Sequence, residues 1–369
     1  MKKGLMGILT MALVMALAIT AVLPLGGGSF ACAEDYDPVK EFGSDVLNVY
    51  NWGEYIDKNV ITNFEKEYKV RVNYSLFSSN EEMYTKLMSG ASYDVLVPSD
   101  YMIERLIKEN MLQPIDHSIV DNLDNLAEGV RNLSFDPDNT YMVPYLWQSV
   151  GMVYDTRKID PEKIEEAGWS IYLDSEYEGH VYMYDSERDA FMIALKALGY
   201  SANTESEAEI EEAYNWLREM DKAVRPSYVT DEVIDAMAFG EKWMALVYSG
   251  DATYILSENE NMGYCVPKQG SNIAIDAMVI PANASNPKLA NVFIKYILEY
   301  ENSLMISEEV GYASANAQVL EELSGPGGLY EDNDAYLPRE GYELDEFYHD
   351  NETLRKILSE KWVFVKLHE

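Results

Sequence analysis

The stretch Val46-Leu47-Asn48-Val49-Tyr50, continued by Asn51-Trp52-Gly53-Glu54-Tyr55, opens the segment that decides the fold. A short apolar strand is followed by Ile56, Val60 and Phe64 at helical spacing. Val70, Val72 and Tyr74 then alternate as a half-buried strand. Ser79 with Glu82 three residues on is a capping box, predicting a helix through Met83 and Leu87 that ends at Gly90. Tyr93 to Val97 reads as a buried strand, and Met102, Leu106 and Ile107 begin the next helix. The order βαβαβα predicts an open sheet with helices on both faces.

The pattern returns downstream. His180 to Tyr184 is a strand, Phe191, Ala194, Leu195 and Leu198 lie on a helix, and two further helices lead to a strand from Met244 to Tyr248. Two apolar strands, Val150 to Tyr154 and Ile273 to Ile280, lie between and after these units and read as crossings between two lobes. Pro287 suits the first turn of a helix carrying Leu289, Phe293 and Ile297, and a last amphipathic helix covers Leu354 to Phe364.

A chain of 369 residues suits two domains. Asp and Glu number 64 against 28 Lys and Arg, a formal net charge of −36. Such a surface repels phosphate backbones and excludes nucleic acid as a partner. By itself it serves either solubility or the attraction of cations. Lys2 and Lys3, the apolar run from Leu5 to Leu25 and the small-residue site Ala31-Cys32-Ala33 predict a signal peptide over 1–33. An acidic linker, 34–45, follows. The two cysteines are Cys32, a possible lipid-anchor position, and Cys265, so no disulfide is expected in the mature chain.

Open α/β sheets bind ligands beyond the carboxyl ends of their strands. Those positions carry Asn51-Trp52-Gly53-Glu54-Tyr55, Pro98-Ser99-Asp100-Tyr101, Asp185-Ser186-Glu187-Arg188-Asp189 and Tyr248-Ser249-Gly250-Asp251. Acids and rings dominate, with Arg188 the one basic residue, a mixture that suits an alkylammonium. Each has a plainer reading: Trp52 as packing, Asp100 and Asp251 as helix N-caps. Asp276 resists one, because it sits inside the apolar run Ile273 to Val279, where an unpaired carboxylate is costly. No nucleophile elbow, P-loop, H-E-x-x-H or C-x-x-C motif is present, and the four histidines are scattered, so a binding role is favoured over catalysis. Two carboxylates of a glycosidase remain an open alternative among so many acids.

The chain resembles the spermidine/putrescine-binding proteins of polyamine ABC importers, within the type II periplasmic-binding-protein superfamily. The marks are Val49 to Tyr55, Tyr93 to Ser99, Phe135-Asp136-Pro137, Val143 to Trp147, Leu198-Gly199-Tyr200 and Ile280 to Ala284. The resemblance implies an α/β fold of two lobes, two open sheets joined by two crossing segments. It implies lobes of 46–151 with 277–318 and of 152–276 with 319–369. It implies a monomeric extracytoplasmic binder, without cofactor or metal, that hands a polyamine to the permease subunits of an importer. Trp52, Glu54, Tyr55, Ser99, Tyr101, Asp189, Tyr248, Asp251, Asp276 and Tyr312 are the ligand-binding residues it implies. Three positions depart from the family pattern: Ala274 replaces an aromatic, Tyr248 a tryptophan, and Ser186 an acid of the spermidine binders. Another small solute on the same scaffold is the alternative ligand.

Overall fold

The computed structural model describes residues 36–339 and 341–367. The expected signal peptide, Cys32 and His368 lie outside the described residues. Among the described residues, eleven strands form the sheet: β1 (Val46–Trp52), β2 (Arg71–Phe77), β3 (Val95–Leu96), β4 (Leu112–Gln113), β5 (Met142–Asp155), β6 (Val181–Tyr184), β7 (Ser227–Val229), β8 (Met244–Tyr248), β9 (Met262–Cys265), β10 (Ile273–Pro281) and β11 (Ala313–Ser314). The main path runs β2-β1-β3-β10-β5-β8-β6-β7. Pairing is parallel within β2-β1-β3 and within β8-β6-β7, and antiparallel through β10 and β5 between them.

The two parallel groups are the cores of two α/β lobes, and β5 is the seam that joins them. Its residues 142–149 pair with β10, while Val150 to Asp155 pair with β8 and β9. Nearly every residue of β5 and all of β10 are buried. Strands covered on both faces read as continuous apolar runs rather than alternating ones, which is why both crossings stand out in the sequence. Because the strands of each group run parallel, the exits of β1 and β3 share one edge, and those of β6 and β8 share another. The polar loops identified from sequence therefore gather at the seam.

Helices cover the sheet by ordinary amphipathic packing. Lys58–Tyr68 buries Val60 and Phe64, and the Phe64 ring meets Phe293 at 5.0 Å and Tyr296 at 5.1 Å. The last helix, Glu352–Val365, lies on helices Glu187–Leu198 and Glu207–Val224 through Leu354, Leu358, Trp362 and Val365.

Local details differ from the sequence reading. Ser79 caps its helix by accepting from the Glu82 amide at 3.1 Å, but the Glu82 carboxylate returns to Ser78, one residue outside the expected box. The acidic linker contains a short helix, Pro38–Phe42, N-capped by Asp37 and held by Lys288 on Glu41. Asp100 and Asp251 are not N-caps. They lie inside the first turns of helices Asp100–Lys108 and Ser249–Glu258, whose caps are Ser99 and Tyr248.

Some buried acids serve the fold alone. Asp94, fully buried, accepts from the Asn48 amide (2.8 Å), the Asn48 side chain (3.0 Å) and the Asn286 amide (2.7 Å), tying β1 to the start of helix Pro287–Ile297. Removing the acceptor strands buried donors, so Asp94→Ala is expected to lower unfolding stability by about 3 kcal/mol. Urea denaturation of the ligand-free protein checks this.

Candidate functional site

Four buried carboxylates at the seam differ from Asp94 in the company they keep: Asp100, Asp189, Asp251 and Asp276. A structural acid is satisfied by backbone amides, as Asp136 is by those of Thr140, Tyr141 and Met142. Three of the seam acids are held by hydroxyls instead. Asp276 accepts from the Tyr55 hydroxyl at 2.7 Å and the Ser99 hydroxyl at 2.6 Å. Asp251 accepts from the Tyr312 hydroxyl at 2.8 Å. Asp189 accepts from Tyr248 at 2.8 Å and Tyr348 at 2.9 Å. Each hydroxyl supplies one donor, which leaves carboxylate lone pairs open to a further donor.

The backbone explains the placement. Asp276 sits where the β10–β5 register shifts, between Asp276 and Ala277, and where an isolated bridge joins it to Ser99 beyond β3. The bulge turns a polar side chain out of an otherwise apolar strand. Ser99 is fixed by Asn80, whose side chain accepts from the Ser99 amide and donates to its hydroxyl, both at 3.1 Å. Gly250 leaves room for Tyr312: a Cβ there would lie 2.0 Å from the tyrosine ring. The Tyr312 ring meets that of Tyr55 edge-on at 5.0 Å, so the partners of Asp276 and Asp251 touch. Tyr145 closes this corner, its hydroxyl donating to the Tyr55 carbonyl at 2.5 Å and its ring 5.6 Å from Tyr55.

Asp100 differs again. It is fully buried, accepts from the Tyr101 amide at 2.6 Å through one oxygen, and its Oδ2 has no partner among the described residues. Arg188 lies within its electrostatic reach.

Removal from water sets the charge states here. Burial pushes Asp276 up to about 6 against its two hydroxyl bonds, and Asp251 up to about 7 against the bond from Tyr312. Burial holds Asp100 well above the usual carboxylate range, with Arg188 pulling the other way. Tyr55, Tyr101, Tyr248, Tyr312 and Tyr348 are all raised by burial, then by nearby acids, so they remain neutral donors. Buried carboxylates held only by hydroxyls and flanked by tyrosine rings favour a cation with N–H donors.

Of the residues named from sequence, Tyr55, Ser99, Asp189, Tyr248, Asp251, Asp276 and Tyr312 enter this bonded set, and Tyr101 joins it through Asn80 at 3.1 Å. Trp52 is half-buried, its ring nitrogen donating to the Val97 carbonyl at 2.9 Å and its ring 4.4 Å from Phe77, so part of it packs its own lobe. Glu54 stands apart, exposed and in left-handed backbone at φ 45°. Sequence reasoning missed Tyr145, Tyr184, whose ring meets that of Tyr248 at 4.7 Å, and Tyr348. The first lies within β5, and the last sits in an irregular segment whose sequence carries no periodicity.

Residues 59–334 match the family described as bacterial extracellular solute-binding protein. The chain belongs to that family. This solute-binding protein is 33% identical over 283 residues to the spermidine/putrescine-binding periplasmic protein of Escherichia coli strain K12, covering 76% of this chain and 80% of the relative. It is 29% identical over 342 residues to the putrescine/cadaverine-binding protein of Pseudomonas aeruginosa, covering 88% and 94%. Among solved structures, the spermidine/putrescine ABC transporter substrate-binding protein of Streptococcus pneumoniae superposes with a TM-score of 0.74 at 33% identity, covering 88% of this chain and 99% of that one. The fold is the two-lobed type II binding-protein fold, and the relatives are binding proteins of transporters, not enzymes. Among the described residues no helix is long and apolar enough to cross a membrane.

The raised acids have a consequence for stability. A carboxyl whose folded pKa exceeds its unfolded value binds protons more readily in the folded state. Its contribution to stability therefore falls as pH rises from about 4 to about 7 and is flat outside that window. Asp251 and Asp276 together are expected to cost the ligand-free protein a few kcal/mol at pH 8. Asp251→Asn should raise the melting temperature at pH 8 and change it little at pH 4.5, as calorimetric melts at the two pH values would show.

Proposed function

We propose that this solute-binding protein captures a polyamine in the cleft between its lobes, outside the cytoplasmic membrane, and delivers it to the permease subunits of an ABC importer. It acts as a monomer and catalyses no reaction. One observation carries this reading. Asp276 and Asp251 are buried, each is held by hydroxyl donors, neither contacts a cation among the described residues, and their tyrosine partners meet at 5.0 Å. Two such acids call for two ammonium groups on a short apolar linker. The relatives named for spermidine, putrescine and cadaverine support the same class.

The charge count supports a diamine. Asp100 lies in the field of Arg188, and Asp189 is held by Tyr348, whose ring meets the same guanidinium at 4.8 Å, which leaves Asp251 and Asp276 for ligand. A buried acid without a compensating charge is unfavourable, so acids and amines should match in number. Ser186 supplies no additional carboxylate: it caps helix Glu187–Leu198 by accepting from the Asp189 amide. In this reading Tyr55, Tyr312 and Tyr248 cover the methylenes, Ser99 and Tyr101 shape the first-lobe wall, and Trp52 and Glu54 border the mouth. The lobes are 46–151 with 277–318 and 152–276 with 319–369, hinged at the crossings. Ligand stabilises the closed form because only there do both lobes touch it.

A thermal-shift screen of putrescine, cadaverine, spermidine, amino acids and sugars tests the class. A ligand at 100 times its Kd should add about 2.7 kcal/mol, with diamines ahead of spermidine. Stabilisation by a sugar or an amino acid and by no polyamine contradicts the reading. Asp276→Asn should weaken putrescine binding by about 2–5 kcal/mol in titration calorimetry, because an ammonium is left without its partner. Undiminished affinity removes Asp276 from the site.

A further inference from the structure

Arg188 is the second residue of helix Glu187–Leu198, and its guanidinium reaches across the seam. Its central carbon lies 4.0 Å from the centre of the Tyr101 ring, on the helix that follows β3, and 4.8 Å from that of Tyr348. The two rings meet edge-on at 6.5 Å and 77°. Among the described residues the buried Nη1 of Arg188 has no acceptor. A partly desolvated guanidinium with an unmet donor is unfavourable in isolation. Ring faces on two sides and the field of buried acids compensate it here.

The rings that Arg188 joins are anchored to different seam acids, Asp276 on one side and Asp189 on the other. On one side the Tyr101 hydroxyl accepts from Asn80 at 3.1 Å, Asn80 holds Ser99, and Ser99 donates to Asp276 at 2.6 Å. On the other side Tyr348 donates to Asp189 at 2.9 Å. Tyr348 itself belongs to a segment fastened near β10 and the second-lobe helix: Glu346 bridges to Asn272 and takes Lys196 at 2.8 Å. Arg188 thus completes a continuous set of contacts across the seam, from Asp276 to Asp189.

We infer that Arg188 is a positioning residue that clasps the closed form, setting how long ligand is retained by docking onto Tyr101 without touching the ligand itself. The inference rests on the polyamine reading. Its contact is made after ligand has entered, so it acts on release rather than capture.

Stopped-flow binding of putrescine to the full chain tests it. Arg188→Met is expected to raise the dissociation rate about tenfold, the loss of a desolvated cation–ring contact, while leaving the association rate within about threefold. The ligand-free melting temperature should not fall, because the open form does not use the contact. Arg188→Lys, which keeps the charge, should recover part of the retention. In a Tyr101→Leu background, Arg188→Met should change the dissociation rate less than about twofold, since the contact is already gone. Should Arg188→Met fail to fold, Arg188→Lys is run through the same cycle, with an expected rise of about threefold that vanishes in Tyr101→Leu. An unchanged dissociation rate, or the same rise in both backgrounds, overturns the inference alone. Wild-type protein that binds no polyamine overturns the proposed function and this inference with it.

Discussion

The Asp276 carboxylate is the constraint around which the site is arranged. It sits in a strand buried along its whole length, at the one position where the register with β5 slips, and water cannot solvate it. Two hydroxyls reach it from separate elements, Tyr55 after β1 and Ser99 after β3. Those bonds are too few to satisfy a full negative charge, so burial raises the pH at which the acid ionises and leaves the charged form under-satisfied until something positive arrives. The strand that carries it is also one of the crossings between the lobes. In the proposed reading, ligand charge and lobe position therefore meet at the same residue.

The contrast between seam acids and structural acids makes the site recognisable. Asp94 and Asp136 are equally buried, yet N–H donors from backbone amides and, for Asp94, the Asn48 side chain saturate them, and they hold loops in place. Asp155 is paired with Arg157 at 2.7 Å. Asp251, Asp276 and Asp189 have only hydroxyls, which can turn to admit a new donor. Burial alone would not have separated the two classes, because the chain is acidic throughout. The chemical type of the partner does.

Much of this is legible in the order of the amino acids. Continuous apolar runs mark both crossings because strands covered on two faces have no polar side to alternate. The rule that open sheets bind at strand exits leads to Ser99, Asp189, Tyr248 and Asp251, and Asp276 stands out as a charge in an apolar run. What escapes depends on contacts between distant residues. Tyr348 lies 159 residues from Asp189, in a segment without periodicity, and nothing local marks it. Asp100 reads as a cap, because an acid at a helix start is common whether or not it faces a cleft. The bulge that turns Asp276 outward follows from pairing, which sequence alone does not show.

If the buried acids are what the ligand pairs with, binding must expel protons. An ammonium beside Asp251 or Asp276 lowers a pKa now near 7 or 6, so at pH 6.5 putrescine should displace on the order of one proton. Titration calorimetry at that pH, in two buffers of very different ionisation enthalpy, measures the number directly. The binding heats are expected to differ between the buffers with the sign of proton release and to become equal above pH 8.5. Equal heats in both buffers at pH 6.5, with binding intact, would contradict the pairing of ligand ammonium with these carboxylates.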